Sequence, residues 1–193
     1  MKPSEEADVI ADHVFESESN LRITAKLGLA FPKVKERIVR EFVQTLALEL
    51  GSRLGKQWGI ENSWTERPLR ADCQIGLAKK PWLDKASIGL TCERTGPSFL
   101  LYFVWRASKH KLLAITDLKQ SLDKRFSHGN HYSPPSGGDT LWWKYVDDHY
   151  RDWDNEDMLV TLWKKEEAVE YYAAHLVRIC KIAGPFLDKI CGK

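Results

Sequence analysis

From Lys33 to Leu54 apolar residues return at every fourth position, through Val34, Ile38, Phe42, Leu46, Leu50 and Leu54, with Val39, Val43 and Ala47 beside them. Lys35, Arg37, Arg40, Glu41 and Gln44 take the opposite side. A spacing near 3.6 predicts an amphipathic helix that lays a broad face on something flat. Gly51 and Gly55 supply its stop positions. Further on the period falls to two. Ile88, Leu90 and Cys92 alternate with Gly89 and Thr91, and Gly96-Pro97 marks a turn. Phe99, Leu101, Phe103 and Trp105 then form one face of a strand, with Leu100, Tyr102 and Val104 on the other. A strand apolar on both faces belongs inside a sheet. The short gap between Cys92 and Ser98 predicts an antiparallel hairpin, and an earlier strand is expected within Leu69–Ala78.

Helical spacing resumes through Leu118, Leu122 and Phe126, and Asp117 with Gln120 reads as a capping box at the start of that helix. Residues 127–138 are rich in Ser, Gly and Pro, as a loop would be. Asn155, followed by Glu156 and Asp157, predicts the start of another helix. A last helix runs through Val169, Tyr172, Ala173, Leu176, Cys180 and Ala183, with Gly184-Pro185 expected to kink or break it. Residues 1–20 form a polar arm or a short helix, on the strength of the apolar cluster Val9, Ile10, Val14 and Phe15. The fold class that follows is α+β: a mostly antiparallel sheet of three to five strands packed against a long helix in the N-terminal half and helices at the C-terminal end. Residues 21–193 are expected to make one domain.

Composition bounds the function more than it names it. The chain has 193 residues, 43% hydrophobic and 29% charged, which suits a core that needs neither metal nor disulfide. Cys73, Cys92, Cys180 and Cys191 show no metal-type spacing, and no cofactor is implied. The N-terminal sequence lacks the apolar run of a signal peptide, and no segment is apolar over the ~18 residues a membrane span requires. A cytoplasmic protein without a membrane partner is the expectation. A net charge of +2 gives no overall pull toward nucleic acid, but its distribution is uneven. Arg106–His131 carries six Lys or Arg against two Asp, whereas Asp139–Glu170 carries ten acidic residues against four basic.

The acidic stretch is also where the aromatics gather. Between Asp139 and Asp157 seven carboxylates face two basic residues, and Trp142, Trp143, Tyr145, Tyr150 and Trp153 are interleaved among them. Such density repels phosphate and disfavours nucleic acid. Tryptophan and tyrosine anchor protein interfaces, so Trp142, Trp143, Tyr145, Asp147, Asp148, Tyr150 and Trp153 are candidate contacts for a protein partner with a basic surface. Trp142 and Trp143, being adjacent, cannot both face the same way in either a helix or a strand.

Other chemistries have candidate residues too. Leu112–Lys119 matches the apolar strand and Asp-x-Lys of a Mg-dependent nuclease, with Asp117 binding metal, Lys119 positioning water, and Glu93 or Asp72 as the upstream carboxylate. The helix cap on Asp117 competes with it and accounts for more of the neighbouring residues. Lys109 and Lys111 flank His110 in a basic turn able to touch phosphate weakly. His128 and His131 lack a third metal ligand nearby. There is no Gly-x-Ser-x-Gly and no phosphate-cradling glycine loop.

The run Ile88–Arg106, then Leu141-Trp142-Trp143, Trp153 and the terminal helix through Leu176, resembles the C-terminal part of PD-(D/E)XK nuclease superfamily proteins from bacteria and their phages. The resemblance spans roughly residues 33–190. The upstream catalytic core of that group has no counterpart here, so the resemblance carries over no catalytic residue. It implies a non-catalytic accessory portion standing alone, one that binds rather than cuts. The resulting expectation is a non-enzymatic protein-binding module, such as an inhibitor or sensor in phage–host conflict. A divergent nuclease and a nucleic-acid-binding module are its competitors.

Overall fold

The computed structural model describes residues 3–67, 73–93, 96–106, 113–126 and 140–191, with side chains described over 6–67, 73–92, 100–105, 117–126 and 140–191. The chain divides into two compact units, Met1–Arg37 and Ile38–Lys193.

The first unit is helical. Helix α1 covers Pro3–Phe15, and α2 begins at Glu18 and runs to Leu54, so the division between units falls inside it. Ser17 caps α2 by accepting from the Asn20 backbone N–H at 3.1 Å, and the Asn20 side chain donates to the His13 carbonyl at 2.9 Å. Helix α1 lies within the segment 1–20, read from the sequence as a polar arm or a short helix. The long helix starts well before Lys33, however, and continues through Pro32. Apolar residues between Leu21 and Phe31 lie all around the helix, so no single polar face marks it in sequence.

In the second unit Val39, Phe42, Val43, Leu46 and Leu50 are fully buried, the face the periodicity predicts. The helix stops at Leu54 because Gly55 turns left-handed (φ 79°), its N–H bonding the Gly51 carbonyl at 3.2 Å. Five strands follow: β1 Trp58–Asn62, β2 Gln74–Lys79, β3 Ala86–Glu93, β4 Gly96–Arg106 and β5 Thr140–Tyr145. They form one antiparallel sheet in the order β1-β2-β3-β4-β5. Helix α3 (Leu113–Phe126) connects β4 to β5, and α4 (Asp148–Arg151), α5 (Glu156–Lys164) and α6 (Glu166–Cys191) complete the chain. The fold is α+β with an antiparallel sheet, as the pattern predicts. Strand β1 was not foreseen: its five residues alternate only between half-buried and exposed, a weak signal.

One cross-strand row, Ile60–Leu77–Ile88–Val104–Trp142, spans all five strands on the face that carries the core. Helix α6 packs over β3 and touches α3 and α5, burying Tyr172, Ala173, Leu176, Ile179, Ala183 and Leu187 completely. Leu176, Ile179 and Leu187 each contribute about 1.5–3 kcal/mol through the water they shed. Helix α6 is not broken at Gly184-Pro185, where a kink or a break is expected, since it runs on to Cys191. Contacts on both sides of the proline outweigh one lost backbone hydrogen bond. Gly184 lies buried near the rings of Trp58 and Trp82, and Asp188 accepts from the Trp82 indole at 2.9 Å and from Lys79 at 2.7 Å.

The Asp117 cap is also corrected. Helix α3 begins at Leu113, which places Asp117 a full turn inside it, although Leu118, Leu122 and Phe126 are buried as expected. Nothing between Leu113 and Asp117 breaks a helix, so the chain does not wait for a cap. The same finding removes the strand from the nuclease-type motif, because Leu113–Lys119 is helical.

Candidate functional site

The face of the sheet turned away from the core carries the more open chemistry. Its central row reads Glu61–Gly76–Gly89–Phe103–Trp143 from edge to edge, and beside it runs Gln74–Thr91–Leu101–Tyr145. The row is shaped by Gly89. A Cβ there would stand 2.2 Å from the Ile75 carbonyl oxygen and 2.6–2.7 Å from the Phe103 ring, so the ring occupies the space a side chain would take. Phe103 and Leu101 are thereby almost fully buried, yet neither belongs to the core on the opposite face. Trp143 and Tyr145, two residues apart on β5, remain half-buried and meet edge to face at 5.3 Å.

The chain leaving β5 is held by the Val146 N–H on the Leu100 carbonyl (3.0 Å) and turns into α4. That turn brings the Arg151 guanidinium over the Tyr145 ring at 5.4 Å, where it also pairs with Asp148 at 3.0 Å. Asp148, His149, Arg151, Asp152, Asn155 and Asp157 line a shallow polar pocket there. Its floor is set by local bonds: Asp152 Oδ1 accepts from the Asp154 N–H at 2.9 Å, and Asn155 Oδ1 caps α5 through the N–H groups of Asp157 and Met158 at 3.0 and 3.3 Å. Three aspartates against one arginine, itself paired with Asp148, leave the pocket lining with an excess of negative charge. A half-buried aromatic pair thus lies next to a carboxylate-lined hollow.

The rest of the aromatic block is structural. Trp142 faces the core and donates to Asp123 Oδ1 on α3 at 3.0 Å. Trp153 is fully buried between Phe42 and Trp64, at 5.5 and 5.4 Å, and its indole donates to the Tyr172 hydroxyl at 2.8 Å. Tyr150 stacks on Tyr171 at 3.8 Å and donates to Glu167 at 2.5 Å, which with partial burial pushes its pKa up to about 12. The Tyr171 hydroxyl donates to Asp147 Oδ2 at 2.8 Å and accepts from the Asp147 N–H at 3.2 Å. Burial first, and then Asp147, raise the Tyr171 pKa. Asp147 is exposed but engaged, whereas Asp148 is exposed at the pocket. Tyr102 stacks on His175 at 5.7 Å, and its buried hydroxyl has no hydrogen-bond partner among the described residues.

Of the residues of the other chemistries, Asp117 and Lys119 are the ones whose side chains are described. Asp117 and Lys119 are exposed on α3. Glu93 ends β3, with its side chain outside the described residues, and Asp72, Lys109, Lys111, His128 and His131 also lie outside them. Among the described residues no three His, Cys, Asp or Glu side chains are placed to hold a metal ion, and no helix is long and apolar enough to cross a membrane. All four cysteines are buried and none is joined in a disulfide, and burial pushes the Cys180 thiol up, away from the reactive thiolate.

Sequence reasoning missed Phe103, Gly89, Arg151 and Asn155 as shapers of this face. A glycine in mid-strand was the available signal for Gly89, because it marks close approach. No protein-family model matches the chain, and no curated protein or solved structure matches it either.

Proposed function

We propose that this protein is a non-enzymatic binding module that takes up a basic, apolar-anchored segment of another protein on the outer face of its sheet. The observation that carries the proposal is the half-buried Trp143–Tyr145 pair beside the pocket of Asp148, Asp152 and Asp157. An apolar anchor on the partner would cover the two rings, where a rigid aromatic surface yields most contact energy per residue ordered. A lysine or arginine a few residues away would enter the carboxylate hollow. Charge there speeds and orients encounter more than it adds affinity. The resemblance to a non-catalytic portion of nuclease-superfamily proteins fits a chain that binds rather than cuts. Four buried cysteines without a disulfide fit a reducing compartment such as the cytoplasm.

Panning a displayed random-peptide library on the purified chain, followed by fluorescence anisotropy, tests the proposal. Enriched sequences should combine Lys or Arg with an aromatic or large aliphatic residue. Trp143→Ala should weaken binding at least ~10-fold, as loss of an interface anchor does. Asp148→Asn with Asp157→Asn should lower the salt dependence of the association rate. Trp163, 64% exposed on α5, is the control. Binding lost in Trp163→Ala and kept in Trp143→Ala would move the site off the sheet and end the proposal.

A further inference from the structure

Nine of the thirteen large apolar side chains exposed among the described residues lie between positions 9 and 34, in the first compact unit. Helix α1 makes few contacts with α2, and these side chains stay 47–81% exposed. On α2, Ile23, Leu27, Phe31 and Val34 are 49–64% exposed and fall within an arc of about 80° at the helical period. Arg22, Lys26, Lys33 and Arg37 fall in a second arc of about 60° beside it. Helix α1 has the complementary character. It sets Val9 and Ile10, 59% and 58% exposed, among Glu6, Asp8 and Asp12.

We infer that the N-terminal unit is a self-association device, in which the acidic α1 of one copy lies on the basic, apolar first half of α2 in a second copy. Charge selects this occupant. An anionic membrane would draw in α2 but repel the acidic α1, which precedes it with only Glu16 and Ser17 between them. A surface that satisfies both helices must carry both signs, and a second copy does. The exchange is reciprocal, so each pair of copies forms two such contacts about a two-fold axis. Area agrees with charge. Full burial of a Val, Leu, Ile or Phe side chain hides on the order of 60–120 Å² at the usual conversion. The six side chains on the facing surfaces, Val9, Ile10, Ile23, Leu27, Phe31 and Val34, offer about 300 Å² per copy at their observed exposures, the apolar share of a small, weak interface of about 600 Å² per partner.

Sedimentation of the full chain across micromolar concentrations tests this directly. The mass should rise from one chain toward two, and the association should weaken as salt is raised. Two charge-reversed variants make the test specific. In the first, Glu6→Lys, Asp8→Lys and Asp12→Lys leave both helices basic. In the second, Arg22→Glu, Lys26→Glu and Lys33→Glu turn the α2 stripe acidic to match α1. Each variant alone should stay monomeric, and a mixture of the two should recover the heterodimer. Thermal melting of the second unit should be unchanged in both, which separates loss of pairing from loss of folding. A parent chain that remains monomeric at all concentrations overturns the inference, as does a mixture that fails to pair. So does a parent chain that floats with vesicles of anionic lipid while staying monomeric in their absence.

Discussion

Gly76 and Gly89 are register partners on the same face of the sheet, yet replacing each with alanine should have effects of opposite sign. At Gly89 the new Cβ would stand 2.2 Å from the Ile75 carbonyl oxygen and 2.6 Å from Phe103 Cζ. The Phe103 ring can turn aside, but the oxygen belongs to β2, which is paired on both sides and cannot yield alone. Forcing an extra methyl into packed structure costs about 1–3 kcal/mol. Against this, alanine removes about 0.5–1 kcal/mol of glycine's unfolded-state entropy. Gly89→Ala should therefore destabilise the fold by roughly 1–2 kcal/mol, the difference of those two effects. At Gly76 the same Cβ meets only Gln74 and Glu61 side-chain atoms at 3.6–3.8 Å, ordinary contact, so only the entropy gain remains. Gly76→Ala should stabilise by about 0.5 kcal/mol. Urea unfolding, followed by tryptophan fluorescence and circular dichroism with unchanged slope, reads both values. Adding Phe103→Leu to Gly89→Ala should recover little, because the carbonyl remains. Parent-like stability in Gly89→Ala would refute the close-approach account of this face.

Three further outcomes follow from other parts of the molecule. Asn155→Ala removes an N-cap with two backbone partners and should cost about 1 kcal/mol in urea midpoint analysis. Asp188→Ala leaves the indole N–H of the fully buried Trp82 without its acceptor and should cost about 1–3 kcal/mol, with a smaller loss when Trp82→Phe is already present. Tyr102, Tyr150, Tyr171 and Tyr172 all have pKa values raised in the folded state, Tyr150 to about 12. A raised folded-state value favours the protonated form, so this stability is fully present below the unfolded tyrosine pKa of about 10 and is lost as pH climbs above it. Tyrosinate absorbance from these four should appear together with alkaline unfolding, and gradual titration in a fold that stays intact would contradict that.

Burial periodicity made most of the second unit legible. The face of Val39, Phe42, Val43, Leu46 and Leu50, the two-sided strand β4 and the Asn155 cap each follow from local pattern because packing there agrees with local preference. The errors lie where tertiary contact overrules it. Pro185 is tolerated because Asp188 is tied to Trp82 and Lys79, and the helix around Asp117 starts a turn early because nothing stops it. The site was half visible. Residue type announced an aromatic, acidic segment, but alternation alone cannot tell which of Trp142 and Trp143 turns to the core. That choice comes from register: Trp142 is opposite the core residue Val104, and Trp143 is opposite Phe103 on the outer face.

The central claim is that Trp143, not its buried neighbours, meets a basic partner. Indole N–H resonances assigned by single tryptophan substitutions separate Trp142, Trp143 and Trp153 in one spectrum. Titration with a panned Lys- or Arg-rich peptide should shift the Trp143 signal, together with the backbone amides of Asp148 and Asp157, and leave those of Trp142 and Trp153 in place. A peptide that binds while the Trp143 indole stays unmoved would contradict the account.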